Sequence, residues 1–141
     1  VAEKAEIQQV TYEKFDQLEE AAGVAFVPFA YLMGVPSQDV WPASKYLAEK
    51  TLVNEFVAYG HLAEELSLTG EEKSKLTDRT KIILTYALCG FANILSLGIQ
   101  IAGIGTLVPK MRSRVAKLAP WALLAGTFAC FQTAAIAGLL L

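Results

Sequence analysis

Residues 82–109 read IILTYALCGFANILSLGIQIAGIGTLVP, a run of 28 residues from Ile82 to Pro109 without one charged side chain. A bilayer core about 30 Å thick takes roughly 20 apolar residues in a helix, so the run is long enough to cross. A second uncharged run, Leu118 to Leu141, has 24 residues. Neither shows the polar face that a soluble helix of this length carries. The hydropathy criterion reads both as membrane-inserted. Neither is a secretory signal, because both lie far from the N-terminus and exceed the usual core of about 7–15 residues.

The rest of the composition agrees. The 141 residues are 54% apolar and only 18% charged, which excludes a disordered chain. A net charge of −2 leaves no basic footprint for nucleic acid. Two cysteines, Cys89 and Cys130, are too few for a disulfide scaffold, and each sits in an apolar run as a small buried hydrophobe. Charge is partitioned: residues 1–81 carry −6, and residues 82–141 carry +4, all of it on Lys110, Arg112, Arg114 and Lys117. A short basic loop between two spans favours the cytoplasmic side. The first residue is Val1, not Met, which reads as a chain processed or cut from something longer.

Upstream, residues 1–23 are polar and acidic. Phe15, Leu18 and Ala22 recur at helical spacing, with Thr11 as N-cap and Gly23 as stop. Such a helix can lie in the membrane interface. Val24–Val35 is an apolar stretch too short to cross, closed by the turn signal Gly34-Val35-Pro36-Ser37. Asp39 to Leu66 reads as a helix interrupted near its middle, with Leu47, Thr51, Leu52, Phe56 and Tyr59 helically spaced. Its short apolar run followed by a polar patch suits a re-entrant segment better than a span. Residues 67–81, containing Thr69-Gly70, form a mixed-charge linker. A straight helix over all 28 residues of the first uncharged run would measure about 42 Å, more than the core needs. Gly90, Gly98, Gly103 and Gly105 lie in it, so the helix either tilts strongly or breaks, and broken membrane helices mark substrate sites. Ala125, Gly126, Ala129 and Ala134 make the second run a packing helix.

Polar residues in apolar surroundings are the candidate site. Glu55 stands among Leu52, Val53, Phe56 and Val57. A carboxylate in hydrocarbon costs roughly 2.5–3.5 kcal/mol on insertion scales, so it is a substrate or proton site, or it lies at the interface, paired with Lys50 or solvated at the edge. Asn93 and Ser96 are three apart and would share a helix face, either as a polar site or as interhelical glue. His61, the only histidine, reads as a surface residue. No Cys/His cluster suits zinc, and Gly103-Ile104-Gly105 lacks the rest of a dinucleotide fingerprint. No nucleophile elbow appears, so no catalytic residue is assigned and an enzyme is not expected.

The strings then become familiar. Ala48-Glu49-Lys50, three residues, and Asn54-Glu55-Phe56-Val57-Ala58-Tyr59 resemble the signature of the concentrative nucleoside transporters. Thr85-Tyr86-Ala87-Leu88-Cys89-Gly90-Phe91-Ala92-Asn93, with Ser96 three residues on, is similar to the second family motif. Pro28–Pro36, the basic loop and the small-residue last helix also fit, so the resemblance covers about residues 24–141. It implies an all-α membrane protein. A re-entrant helical hairpin over about 37–66 would precede a broken transmembrane helix over about 79–107 and a final transmembrane helix over about 116–141, with 1–23 as a polar lead-in. Together these make one half of an inverted-repeat, elevator-type transport domain in the plasma (bacterial inner) membrane. The resemblance assigns Glu55, Asn93 and Ser96 to the ribose, and Asn54, Phe91 and Cys89 to the pathway nearby. It implies nucleoside as substrate, lipid as surroundings, sodium or a proton as coupling ion, no other cofactor, and a homotrimer. The scaffold, the first hairpin and the ion ligands of a far longer family member are not in this sequence. The chain is therefore expected to be the C-terminal part of a symporter that needs its N-terminal half. The alternative is a non-transporting assembly partner or truncated remnant.

Overall fold

The 28-residue run is two helices. The computed structural model describes residues 2–67 and 75–141, with side chains from Gln17 onward. The described part is helical: α1 (Ala2–Leu32), α2 (Val40–Leu52), α3 (Glu55–Ser67), α4 (Asp78–Ala87), α5 (Ile94–Leu107), a 3₁₀ turn (Pro109–Met111) and α6 (Arg112–Leu140). The first run is thus divided between α4 and α5 by Leu88–Asn93, and neither helix is long enough to span alone. Among the described residues, only the segment Pro109–Leu140 is by itself long and apolar enough to cross a membrane. Of the two alternatives its length allowed, a tilted helix or a broken one, the first run takes the second. The Thr69-Gly70 linker lies outside the described residues, as does the side chain of Phe15.

Three expectations change. Helix α1 begins before Thr11 and runs through Gly23, so neither residue is its boundary. A glycine in a helix interior costs about 1 kcal/mol relative to alanine. That is too little to end a helix whose face is held by a neighbour, and Gly23 lies against Ser44 and Lys45 of α2. Leu18 is exposed, while Gly23 and Ala30 are buried. The basic stretch after Pro109 is mostly the start of α6 rather than a loop.

The true end of α1 is a glycine cap. Gly34 takes φ +84°, its N–H donates to Tyr31 O, and the Val35 N–H donates to Ala30 O. These two bonds satisfy the last carbonyls in a Schellman arrangement. Arg79, in the first turn of α4, donates to Gly34 O at 2.9 Å and to Gly138 O near the end of α6 at 2.5 Å. One guanidinium thus meets the C-terminal ends of two helices, where the backbone dipole favours a cation.

Asp39 does the matching work for helix starts. Its Oδ2 accepts from Thr77 N (2.9 Å), Thr77 Oγ1 (2.6 Å) and Thr80 Oγ1 (2.6 Å), binding the start of α2 to the start of α4. Burial pushes the Asp39 carboxyl up, but the bonds from Thr77 and Thr80 and the charge of Lys81 outweigh it and leave the group below its ordinary value. A carboxyl depressed by folding adds stability that is whole above its unfolded value and is lost as pH falls through the folded one. Below about pH 4, the melting temperature of the native protein is expected to fall more steeply than that of Asp39→Asn. Thermal unfolding in detergent from pH 7 to pH 3 checks this.

Between these ends the core is apolar. Ala30, Val40, Ala43, Leu47, Leu62, Ile83, Leu84, Leu88, Phe131 and Ala134 are buried together, flanked by Phe26 and Phe29. Phe26 meets Phe131 edge-on at 6.0 Å, and Phe29 meets Phe128 at 5.7 Å. Helix α6 closes this core with one face. Trp121, Leu124, Phe128, Ile136 and Leu139 on it remain exposed, as suits a helix whose other surroundings are apolar.

Candidate functional site

Two helix starts meet at one carboxylate. Glu55 opens α3 after the break at Val53-Asn54, and Asn93 caps α5 after the break at Leu88–Asn93. The Asn93 side-chain oxygen accepts from the Ser96 N–H at 2.7 Å, as an N-cap asparagine does. That bond fixes the amide orientation, so the amide nitrogen points the other way. It donates to Glu55 Oε2 at 2.7 Å. Glu55 is 6% exposed and Asn93 1%. The second oxygen, Glu55 Oε1, is buried and has no partner among the described residues. The positive ends of α3 and α5 both favour negative charge there.

The spacing argument for Asn93 and Ser96 is thereby corrected. Asn93 is extended (φ −143°) and outside the helix, and Ser96 is in the first turn it caps. They do not share a helix face. Asn54 repeats the arrangement on α3, accepting from the Val57 N–H at 3.0 Å. Lys50 does not pair with Glu55: its Nζ donates to Ala87 O, the last residue of α4, at 2.9 Å. The Tyr59 hydroxyl donates to Thr85 O and ties α3 to α4.

The break itself needs its glycine. Gly90 has φ +149°, and a Cβ there would lie 2.7 Å from Cys130 Sγ. The Cys130 thiol in turn donates to Cys89 O at 3.1 Å. Gly90→Ala is expected to lower stability by about 1–3 kcal/mol, read as a fall in melting temperature. Phe91 is 67% exposed and meets Phe56, 71% exposed, in an edge-on pair at 6.0 Å. Phe56, taken from the sequence as one of a helical apolar set, therefore stands in the open beside Glu55. Cys89 is exposed rather than buried. A cavity of about 210 Å³ lies on the α6 side of the break, bordered by Phe91, Asn93, Gln100, Gly126 and Cys130.

His61 is exposed, but it has a partner that helical spacing could not show. Its Nδ1 lies 2.6 Å from Glu49 Oε1, across from α3 to α2. No group of three metal-type side chains occurs among the described residues. Sequence reasoning placed Lys50 and Tyr59 beside Glu55 but did not foresee that both bond carbonyls of α4. A lysine in an apolar context five residues before Glu55 was the available signal.

The fold and the site define a helical membrane chain with a buried carboxylate at the junction of two helix breaks. Residues 5–138 match the family model for the C-terminus of Na+-dependent nucleoside transporters. Human solute carrier family 28 member 3 is 46% identical over 123 residues, covering 82% of this chain and 18% of its own length. The nucleoside permease NupC of Helicobacter pylori is 40% identical over 118 residues, covering 83% of this chain and 28% of its own. The structure of CNTnw in an inward-facing substrate-bound state aligns with TM-score 0.78 and 38% identity over 86% of this chain and 29% of that one. The chain belongs to the concentrative nucleoside transporter family, whose members are integral plasma-membrane proteins and not enzymes. It spans less than a third of the length of these relatives.

Proposed function

We propose that this chain is the C-terminal part of an ion-coupled nucleoside symporter and supplies the ribose-binding half of its substrate site. The observation that carries the reading is Glu55. A buried carboxylate with one oxygen held by Asn93 and the other without a partner is an acceptor waiting for a donor. Burying such an oxygen unpaired is unfavourable by about 1–3 kcal/mol or more. A vicinal diol brings two O–H donors on adjacent carbons, the complement of one carboxylate edge. The Ser96 hydroxyl, without a hydrogen bond among the described residues, is the second candidate for the sugar. The exposed Phe56–Phe91 pair offers an apolar face beside it.

In this reading α2 and α3 are the arms of a re-entrant hairpin, α4 and α5 the halves of a broken membrane helix, and α6 the last span. They form one half of an inverted-repeat transport domain. The other half, with the scaffold, the base-reading hairpin and the ion ligands, belongs to the remainder of the transporter. The coupling ion is sodium or a proton; the description of the family names sodium. Transport moves this bundle, elevator-fashion, against a fixed scaffold within a homotrimer.

The test is sugar discrimination by the native transporter. A site built to pair with hydroxyls rejects analogues lacking them, because its own polar groups are left unpaired. Uridine is expected to bind at least about tenfold more tightly than 2′-deoxyuridine and 3′-deoxyuridine. Equal binding of all three, measured by isothermal titration, would remove the ribose assignment.

A further inference from the structure

Lys50 is the largest side chain that is fully buried among the described residues, at 1% exposure. Its ammonium has one hydrogen-bond partner there, the Ala87 carbonyl, and no carboxylate within ion-pair distance. A buried cation with so little compensation is unfavourable, and an apolar side chain of similar volume would fill the space without that penalty. The position of its partner explains what the charge accomplishes. Ala87 is the last residue of α4, and its carbonyl sits at the negative end of that helix. Six residues later Asn93 donates to Glu55. Lys50 itself lies near the end of α2, where the Val53 N–H closes on Glu49 O just before Asn54 and Glu55. The bond from Lys50 to Ala87 therefore joins the two chain breaks immediately upstream of the two residues that meet.

The geometry points to Lys50 as a positioning residue: its ammonium anchors the end of α4 to the end of α2, and so sets the register in which Asn93 reaches Glu55. That consequence for ligand binding rests on the ribose reading above. Lys50 touches no ligand in this scheme. It acts through the end of α4, to which no other side chain of α2 donates a hydrogen bond among the described residues.

Two measurements on the native membrane protein in lipid nanodiscs test it. The first needs no ligand. Hydrogen exchange at the Ser96 and Leu97 amides, which are bonded to Asn93, is expected to quicken at least tenfold in Lys50→Met, with α1 unchanged and with Lys50→Arg close to wild type. Unchanged exchange at Ser96 and Leu97 overturns the proposal. The second is a double-mutant cycle on uridine affinity. Lys50→Met is expected to weaken binding at least tenfold in the native background and less than threefold in Asn93→Ala. Additive losses would show that Lys50 does not act through Asn93 and would equally overturn it. If the wild-type protein binds no nucleoside, the ribose reading fails while the exchange experiment still decides the role of Lys50. Should Lys50→Met not insert, Lys50→Gln, whose side chain is one bond shorter than lysine, is carried through both measurements with the same expected directions.

Discussion

Glu55→Gln is expected to weaken nucleoside binding by about 100-fold, or roughly 2.7 kcal/mol, while leaving the protein folded. The glutamine keeps the shape and can still accept from the Asn93 amide, which is 2.7 Å from the native Oε2. What it loses is the charge and one of two acceptor oxygens. Hydrogen bonds to a charged group contribute about 1.5–3 kcal/mol each, roughly twice a neutral pair. Two hydroxyls on one carboxylate therefore put the loss in this range. The unliganded protein should move the other way. Replacing a buried carboxylate that has an unpartnered oxygen by a neutral amide is expected to leave its melting temperature equal or higher, since buried uncompensated charge opposes folding. Loss of binding with retained stability is the signature of a site residue. Glu49→Gln is the control, because Glu49 faces His61 on the other side of the hairpin. Its effect on uridine uptake is expected to stay within about threefold, the size expected of a partly exposed pair. Equal uptake by the two variants would sink the assignment of Glu55.

Gly138→Ala is expected to destabilise the fold by about 3 kcal/mol or more, at or beyond the upper end of ordinary overpacking. A Cβ at this position would fall well inside van der Waals contact with the Met33 carbonyl oxygen, and 3.3 Å from Ile83 Cδ1. The obstacle is backbone rather than a flexible side-chain tip, so the end of α6 must move away from α1. Arg79 bonds both Gly34 O and Gly138 O. Separation of these helix ends would break its bridge as well. Gly98 and Gly103 are the contrast: each is inside α5, and a Cβ there meets nothing within 4 Å. Alanine at either is expected to stabilise by about 0.5–1 kcal/mol, through better helix propensity. Melting temperatures in one detergent compare the three variants, and a Gly138→Ala value equal to wild type would refute the close approach.

Sequence reading separated the acidic N-terminal part from the uncharged C-terminal runs, because charge in hydrocarbon is so unfavourable that its absence over 28 residues is informative by itself. The family was recognised by resemblance to two motifs, within which Glu55 and Asn93 stand out as residue types that apolar segments reject unless something requires them. Neither argument could say which glycine of the 82–109 run would break a helix. Gly23, Gly98, Gly103 and Gly105 all lie inside helices, whereas Gly90 lies in a break. The propensity difference between glycine and alanine is about 1 kcal/mol, and packing energies of the same size or larger decide each case. The meeting of Asn93 with Glu55, the turn of Lys50 towards Ala87 and the touch of Gly138 on Met33 were likewise not legible. Each joins residues between 37 and 105 positions apart. Local spacing carries information over a few helical turns at most, so which polar groups satisfy one another was settled by the tertiary packing of α2 and α3 against α4, and of α6 against α1.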